Sequence, residues 1–200
     1  MFLVYLYCMK WNRIFWFFFL GYLCFSCIRD EVPAGTNIVG PGDGLPDFSV
    51  VLSDGSVVSL ESLKGNVAVL VFFHTGCPDC QKELPVIQRL YEEYASSAEV
   101  CICAISREEE EAEVASYWQA HALTIPYSAQ EDRRVYALFS TGGVPKVYVC
   151  GPDGKVVSVY SDNPIATYSK LKEDVENARI FSSYLFAEQM VSLNLPTRIY

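Results

Sequence analysis

Cys77 and Cys80 are the residues best suited to chemistry in this 200-residue chain. Two cysteines separated only by Pro78 and Asp79 can close a small disulfide ring and open it again. Cys77 is the nucleophile if it begins a helix, because free N–H groups and the positive end of the helix dipole favour a thiolate there. His74 lies three residues earlier. It is placed to tune that thiolate as an imidazolium, or to take the proton from Cys80, with packing alone as the plainer reading.

The flanking residues supply such a helix. Val67–Phe73 is a run of apolar residues rich in Val and Phe, the pattern of a strand buried on both faces. Gly76 lets the chain turn, and Pro78 suits the first helical position, where its missing N–H costs nothing. Leu84, Ile87, Tyr91 and Tyr94 then recur at helical spacing. Cys77 therefore starts the helix and Cys80 lies one turn deeper. A second apolar strand, Glu99–Ile105, makes a strand–helix–strand unit, which predicts parallel pairing with a right-handed crossover.

Hairpins are predicted on either side of this unit. Phe48–Leu52 and Val57–Leu60 flank Asp54-Gly55, and Val144–Cys150 and Lys155–Tyr160 flank Pro152-Asp153-Gly154. Between them a helix is expected over Arg107–Ala122, with Val114, Tyr117, Trp118 and His121 inward. A short edge strand at Ile125–Tyr127 and a short helix around Val135, Leu138 and Phe139 follow. Pro164 is read as opening a last helix with Leu171, Val175 and Ala178 inward, and residues 180–200 receive no assignment.

A net charge of -9 with no basic stripe excludes nucleic acid as a partner. The acidic run Glu108–Glu111 reads as the solvated start of a helix, so neither a metal site nor a cofactor is expected. Ile14–Phe25 is an apolar run broken only by Gly21, preceded by Lys10 and Arg13 and followed by Ser26. That is the pattern of a secretory signal over residues 1–26, with Met9 as a candidate start, and it is shorter than the about 20 residues of a membrane span. Cys27 after Ser26 resembles the lipobox of bacterial lipoproteins, although Cys24 stands where Leu is usual. An uncleaved anchor and a plain secreted form are the alternatives. Residues 27–44 are rich in Gly and Pro and read as a tether, residues 45–179 as one domain. Export would let disulfides persist. Cys101, Cys103 and Cys150 read as buried inert thiols, and Lys146 as a surface lysine.

From Leu45 to about Ala178 the chain resembles thioredoxin-like thiol–disulfide oxidoreductases of the membrane-tethered TlpA/ResA type. The likeness rests on Leu45-Pro46-Asp47-Phe48 with Asp54-Gly55 and Leu63-Lys64-Gly65, and on the Phe72–Cys80 segment. Pro85 five residues after Cys80, and Gly143-Val144-Pro145 ahead of a strand, complete it. It implies an α/β thioredoxin-like fold: a central mixed sheet flanked by helices, with an N-terminal hairpin. It also implies a cis Pro145 against the cysteine pair, and a Val144 backbone free to pair with substrate. The implied partners are exported proteins carrying disulfides, a membrane thiol donor, and the membrane itself through a lipid anchor. The departures are Gly76 where Trp is usual, His74 where a small residue is common, Val71 where thioredoxin has a buried acid, and Lys146 where Thr follows the proline. A peroxiredoxin-like peroxidase shares the fold but needs Thr three residues before its cysteine, whereas Thr75 is two before Cys77. A copper chaperone of related fold spaces its cysteines one residue wider.

Overall fold

Every residue of β3 (Val67–Phe73) is buried, as its unbroken apolar run predicts. It forms the middle of a five-stranded mixed sheet in the order β5-β4-β3-β6-β7. β4 (Val100–Ser106) runs parallel to β3, joined by α1 (Pro78–Tyr94) as the crossover helix. β6 (Lys146–Cys150) pairs with the other side of β3 in antiparallel register, and β7 (Val156–Tyr160) returns along β6. β5 (Tyr127–Ser128) is a two-residue parallel edge on β4. The predicted N-terminal hairpin is present as β1 (Ser49–Val51) and β2 (Val57–Ser59). Its turn uses Gly55 at φ +84°, a conformation only glycine adopts without strain.

Alternation along β3 divides the interior into two cores. Val67, Val69, Val71 and Phe73 face α1, α2 (Glu111–Ala120) and α4 (Tyr168–Ser192). Ala68, Leu70 and Phe72 face the hairpin and α3 (Arg134–Phe139). The site is built at the end of the sheet where β3 runs out and β6 begins.

In this computed structural model residues 37–192 are described, with side chains as far as residue 180. The expected signal, Cys27, tether residues 27–36 and residues 193–200 lie outside the described residues. No described helix is long and apolar enough to cross a membrane.

Four expectations shift. Residues 37–44, read as tether from their Gly and Pro content, are docked. The Ile38 and Val39 N–H groups donate to Phe139 O at 2.9 and 3.2 Å, Gly42 N–H donates to Val156 O at 2.8 Å, and Val39 is buried. Composition marks a linker only where the backbone bonds to water, and this backbone bonds to the domain. The second helix begins at Glu111 rather than Arg107, because Glu110 and Glu113 form a capping box there. His121, expected inward, is the exposed C-cap residue and stacks on Tyr117 with ring centroids 4.1 Å apart. The last helix starts at Tyr168, not Pro164, and continues to Ser192 through part of the unassigned tail. Leu171, Val175 and Ala178 do face inward.

Candidate active site

Cys77 is the N-cap of α1, with extended backbone and no side-chain capping bond, and Pro78 follows in the first turn. The first N–H groups of a helix have no intrahelical partner, so the half-buried sulfur sits beside unsatisfied donors. Its thiol donates to Val144 O at 3.4 Å. That contact joins the α1 start to the loop before β6, where the Val144–Pro145 peptide bond is cis. Cys80 is fully buried behind it. Burial pushes the Cys80 thiol well above its ordinary value. The Cys77 sulfur and the charge of Glu83 act in the same sense, against a hydrogen bond from the His74 backbone. An accessible sulfur thus stands in front of a desolvated one.

The turn carrying Cys77 is held by a residue that sequence reading assigned to a solvated surface. Glu109 is 2 % exposed. It accepts from Thr75 N–H at 2.9 and 3.0 Å, one bond to each carboxylate oxygen, and from the Thr75 hydroxyl. Thr75 is thus committed to Glu109 rather than to the Cys77 sulfur. Glu109→Ala leaves the Thr75 N–H without its partner and should lower the unfolding free energy by about 3 kcal/mol. Urea denaturation reads this directly, with Glu109→Gln expected to lose less because one acceptor remains.

His74 lies half-buried over the same turn. Its backbone carbonyl accepts from Cys77 N–H at 3.0 Å, and its Nδ1 accepts from Gly76 N–H at 3.0 Å. Glu109 Oε1 stands 3.5 Å from that same Nδ1. One nitrogen cannot accept from Gly76 and donate to Glu109 at once, so the two contacts exclude each other. A Cβ at position 76 would lie 3.3 Å from the imidazole, so the ring fills the space that a larger residue there would take.

The opposite loop is pinned as well. Tyr136 Oη donates to Gly143 O at 2.6 Å, and Arg107 Nη1 donates to Gly142 O at 3.2 Å. Pro145 is buried. Lys146, expected at the surface, is only 7 % exposed.

Glu83 belongs to no motif in the sequence. Its side chain is 1 % exposed, Oε1 accepts from Ala166 N–H at 3.1 Å, and Oε2 is buried without a partner. Burial raises its carboxyl from 4.5 to about 7. The available signal was its place in the helix repeat: position 83 lies beside Leu84 and one turn past Cys80, where an apolar residue is the default. Val71, noted for lacking an acid, is part of the same core as Cys80. The remaining thiols sit away from this site. Cys103 and Cys150 are buried, whereas Cys101 is half-buried and hydrogen-bonds Cys103, which lowers the Cys101 thiol and raises that of Cys103. Among the described residues no group of three or more His, Cys, Asp or Glu is arranged to hold a metal ion.

Residues 41–159, which include the cysteine pair, both pinned loops and all seven strands but the last residue of β7, match the AhpC/TSA family. The chain belongs to the AhpC/TSA family. Among relatives of this AhpC/TSA protein, the thiol–disulfide oxidoreductase ResA of Bacillus subtilis is 28% identical over 140 residues, which is 70% of this chain and 75% of the relative. ResA of Oceanobacillus iheyensis is 32% identical over 122 residues, 59% of this chain and 63% of the relative. A thiol:disulfide interchange protein of the thioredoxin family from Chlorobium tepidum superposes with a TM-score of 0.59 at 24% identity, covering 68% of this chain and 96% of its own. That likeness establishes the thioredoxin-like fold. The family match and the named relatives make this AhpC/TSA-family chain a thiol–disulfide oxidoreductase.

Proposed function

We propose that the chain is an exported oxidoreductase that reduces or reshuffles disulfides of extracytoplasmic proteins, held at the membrane by a lipid on Cys27. The observation that carries the chemical part is the placement of Cys77, half-buried at the α1 N-cap and against Val144 O, with Cys80 buried behind it. The Cys77 thiolate attacks one sulfur of a substrate disulfide, forming a mixed disulfide and releasing a substrate thiolate that takes up a proton. Cys80 then attacks the Cys77 sulfur, its proton passing to the substrate sulfur that departs. The Cys77–Cys80 bond forms, the second substrate thiol leaves, and two electrons have passed to the substrate. A membrane thiol donor would return the pair to dithiol.

Glu83 and Cys80 share one dry core, where two negative charges are costly together. The buried carboxyl therefore keeps a proton as Cys80 gives one up. Val144 and Pro145 supply the loop along which an extended substrate would lie, with the Val144 backbone as its pairing partner.

Reduction of insulin by the purified chain with dithiothreitol as electron source tests the activity. Copper taken up by the reduced chain without insulin reduction would favour a chaperone instead. Export and lipidation rest on residues 1–27 and are tested by mass spectrometry of the mature N-terminus, where a diacylglycerol-bearing Cys27 is expected and retained residues 1–26 would count against it. For His74, alkylation of Cys77 at about pH 6 should slow by several-fold in His74→Ala, since a nearby imidazolium favours the thiolate. An unchanged rate would leave His74 a packing role.

A further inference from the structure

Lys146 opens β6, directly after Pro145, yet is 7 % exposed. Among the described residues its side chain makes no hydrogen bond or ion pair. The charge that attracts it among the described residues is Asp162, on an exposed bend, and no bridge between them forms. Its Nζ is not among the buried atoms lacking a partner, so the alkyl stem is covered while the ammonium keeps a route to solvent. Even a partial loss of water around an ammonium is costly, and a paired carboxylate would offset it. Burial accordingly pushes the Lys146 amine below its ordinary value. The neighbouring cation cannot stand in for it, since Arg107 already donates to Gly142 O and lies 3.5 Å from Glu108.

We propose that Lys146 recognises an acidic side chain on the substrate polypeptide, next in sequence to the cysteine that Cys77 attacks. This rests on the reading that substrate lies along Val144. Val144 O is 3.4 Å from the Cys77 sulfur, so a disulfide that reaches Cys77 also reaches the loop on which Lys146 stands. Lys146 pairs in register with Phe72, which faces the core on the hairpin side, whereas Cys80 and α1 pack on the other face. Side chains of an extended segment alternate between faces. The substrate cysteine and its immediate neighbour therefore address opposite faces, the neighbour that of Lys146. The chain's charge of -9 repels acids at a distance, but that field is screened beyond about 8 Å at physiological salt. Contact with one local ammonium decides the pairing.

The test uses disulfide peptides that differ only in carrying Glu or Gln beside the cysteine, or Glu one position further along. The ratio of kcat/KM within each variant is the readout, so a general loss of activity does not obscure it. The adjacent-Glu peptide should be favoured roughly tenfold over its Gln counterpart, about the worth of one charge-assisted bond. The preference should fall with salt, vanish in Lys146→Met, survive in Lys146→Arg, and shrink when Glu moves one position on. Equal rates in the unsubstituted chain, or a preference that persists in Lys146→Met, would overturn the assignment. Calorimetric binding of the same peptides, with serine for cysteine, to the full chain carrying Cys77→Ser supplies a readout without exchange. Tighter binding of the Glu peptide that depends on Lys146 upholds the proposal even if no disulfide is reduced, and equal binding refutes it. Failure to reduce any peptide would instead count against the oxidoreductase reading.

Discussion

Cys77→Ser is expected to abolish disulfide exchange, lowering the rate of insulin reduction by more than about a thousandfold, because a hydroxyl at this position is not ionised and attacks sulfur poorly. Cys80→Ser should fail differently. Attack by Cys77 remains, resolution does not, and a mixed disulfide accumulates on Cys77 that mass spectrometry detects after acid quench. The asymmetry follows from burial: Cys77 is half-exposed and Cys80 has no solvent contact, so only one of the two meets the substrate. Substantial activity in Cys77→Ser, or trapping at Cys80 in place of Cys77, would reverse the assignment.

The second large effect concerns Glu83. Its folded-state carboxyl titrates at about 7 against an ordinary 4.5, chiefly through desolvation, with the Ala166 N–H opposing and Asp79 adding. Between those two values the folded chain holds a proton that the unfolded chain has released, so stability falls as pH rises through the window. Below about pH 4.5 both states are protonated and the loss is absent, whereas above about pH 7 it is complete and amounts to about 3 kcal/mol. Glu83→Gln keeps an oxygen for Ala166 and removes the titration. The unfolding free energy of the unsubstituted chain should therefore drop by about that amount relative to Glu83→Gln between about pH 4.5 and about pH 8. Denaturant titrations at several pH values measure it, and parallel curves would show that the carboxyl ionises as it does in water.

Local pattern carried much of this molecule. The apolar run of β3, the proline after Cys77 and the helical spacing of Leu84 and Ile87 were enough to place the two cysteines at a strand-to-helix junction. The glycine-bearing turns of both hairpins were equally readable, because φ near +84° at Gly55 and +74° at Gly154 demands that residue type. What sequence hid were side chains whose roles depend on non-local neighbours. Glu109 looked like one of four solvated acids, yet it turns inward to Thr75, 34 residues away. Among the described residues Glu83 meets its partner at Ala166, a contact made when the segment before α4 closes over α1. The charge of Lys146 marks a surface residue, but its register opposite Phe72 covers it. The docking of residues 37–44 was hidden for the same reason, since its partners, Phe139 and Val156, lie about a hundred residues on and strand-edge pairing leaves little trace in composition.

Equilibrating the purified chain in glutathione buffers of graded potential, then trapping and mapping its thiols, bears most directly on whether Cys77 and Cys80 form one reversible couple. A single two-electron transition is expected, in which Cys77 and Cys80 become protected together while Cys101, Cys103 and Cys150 remain thiols throughout. Stable glutathionylation of Cys77 with Cys80 still free, or no transition at the pair over the accessible range, would contradict it.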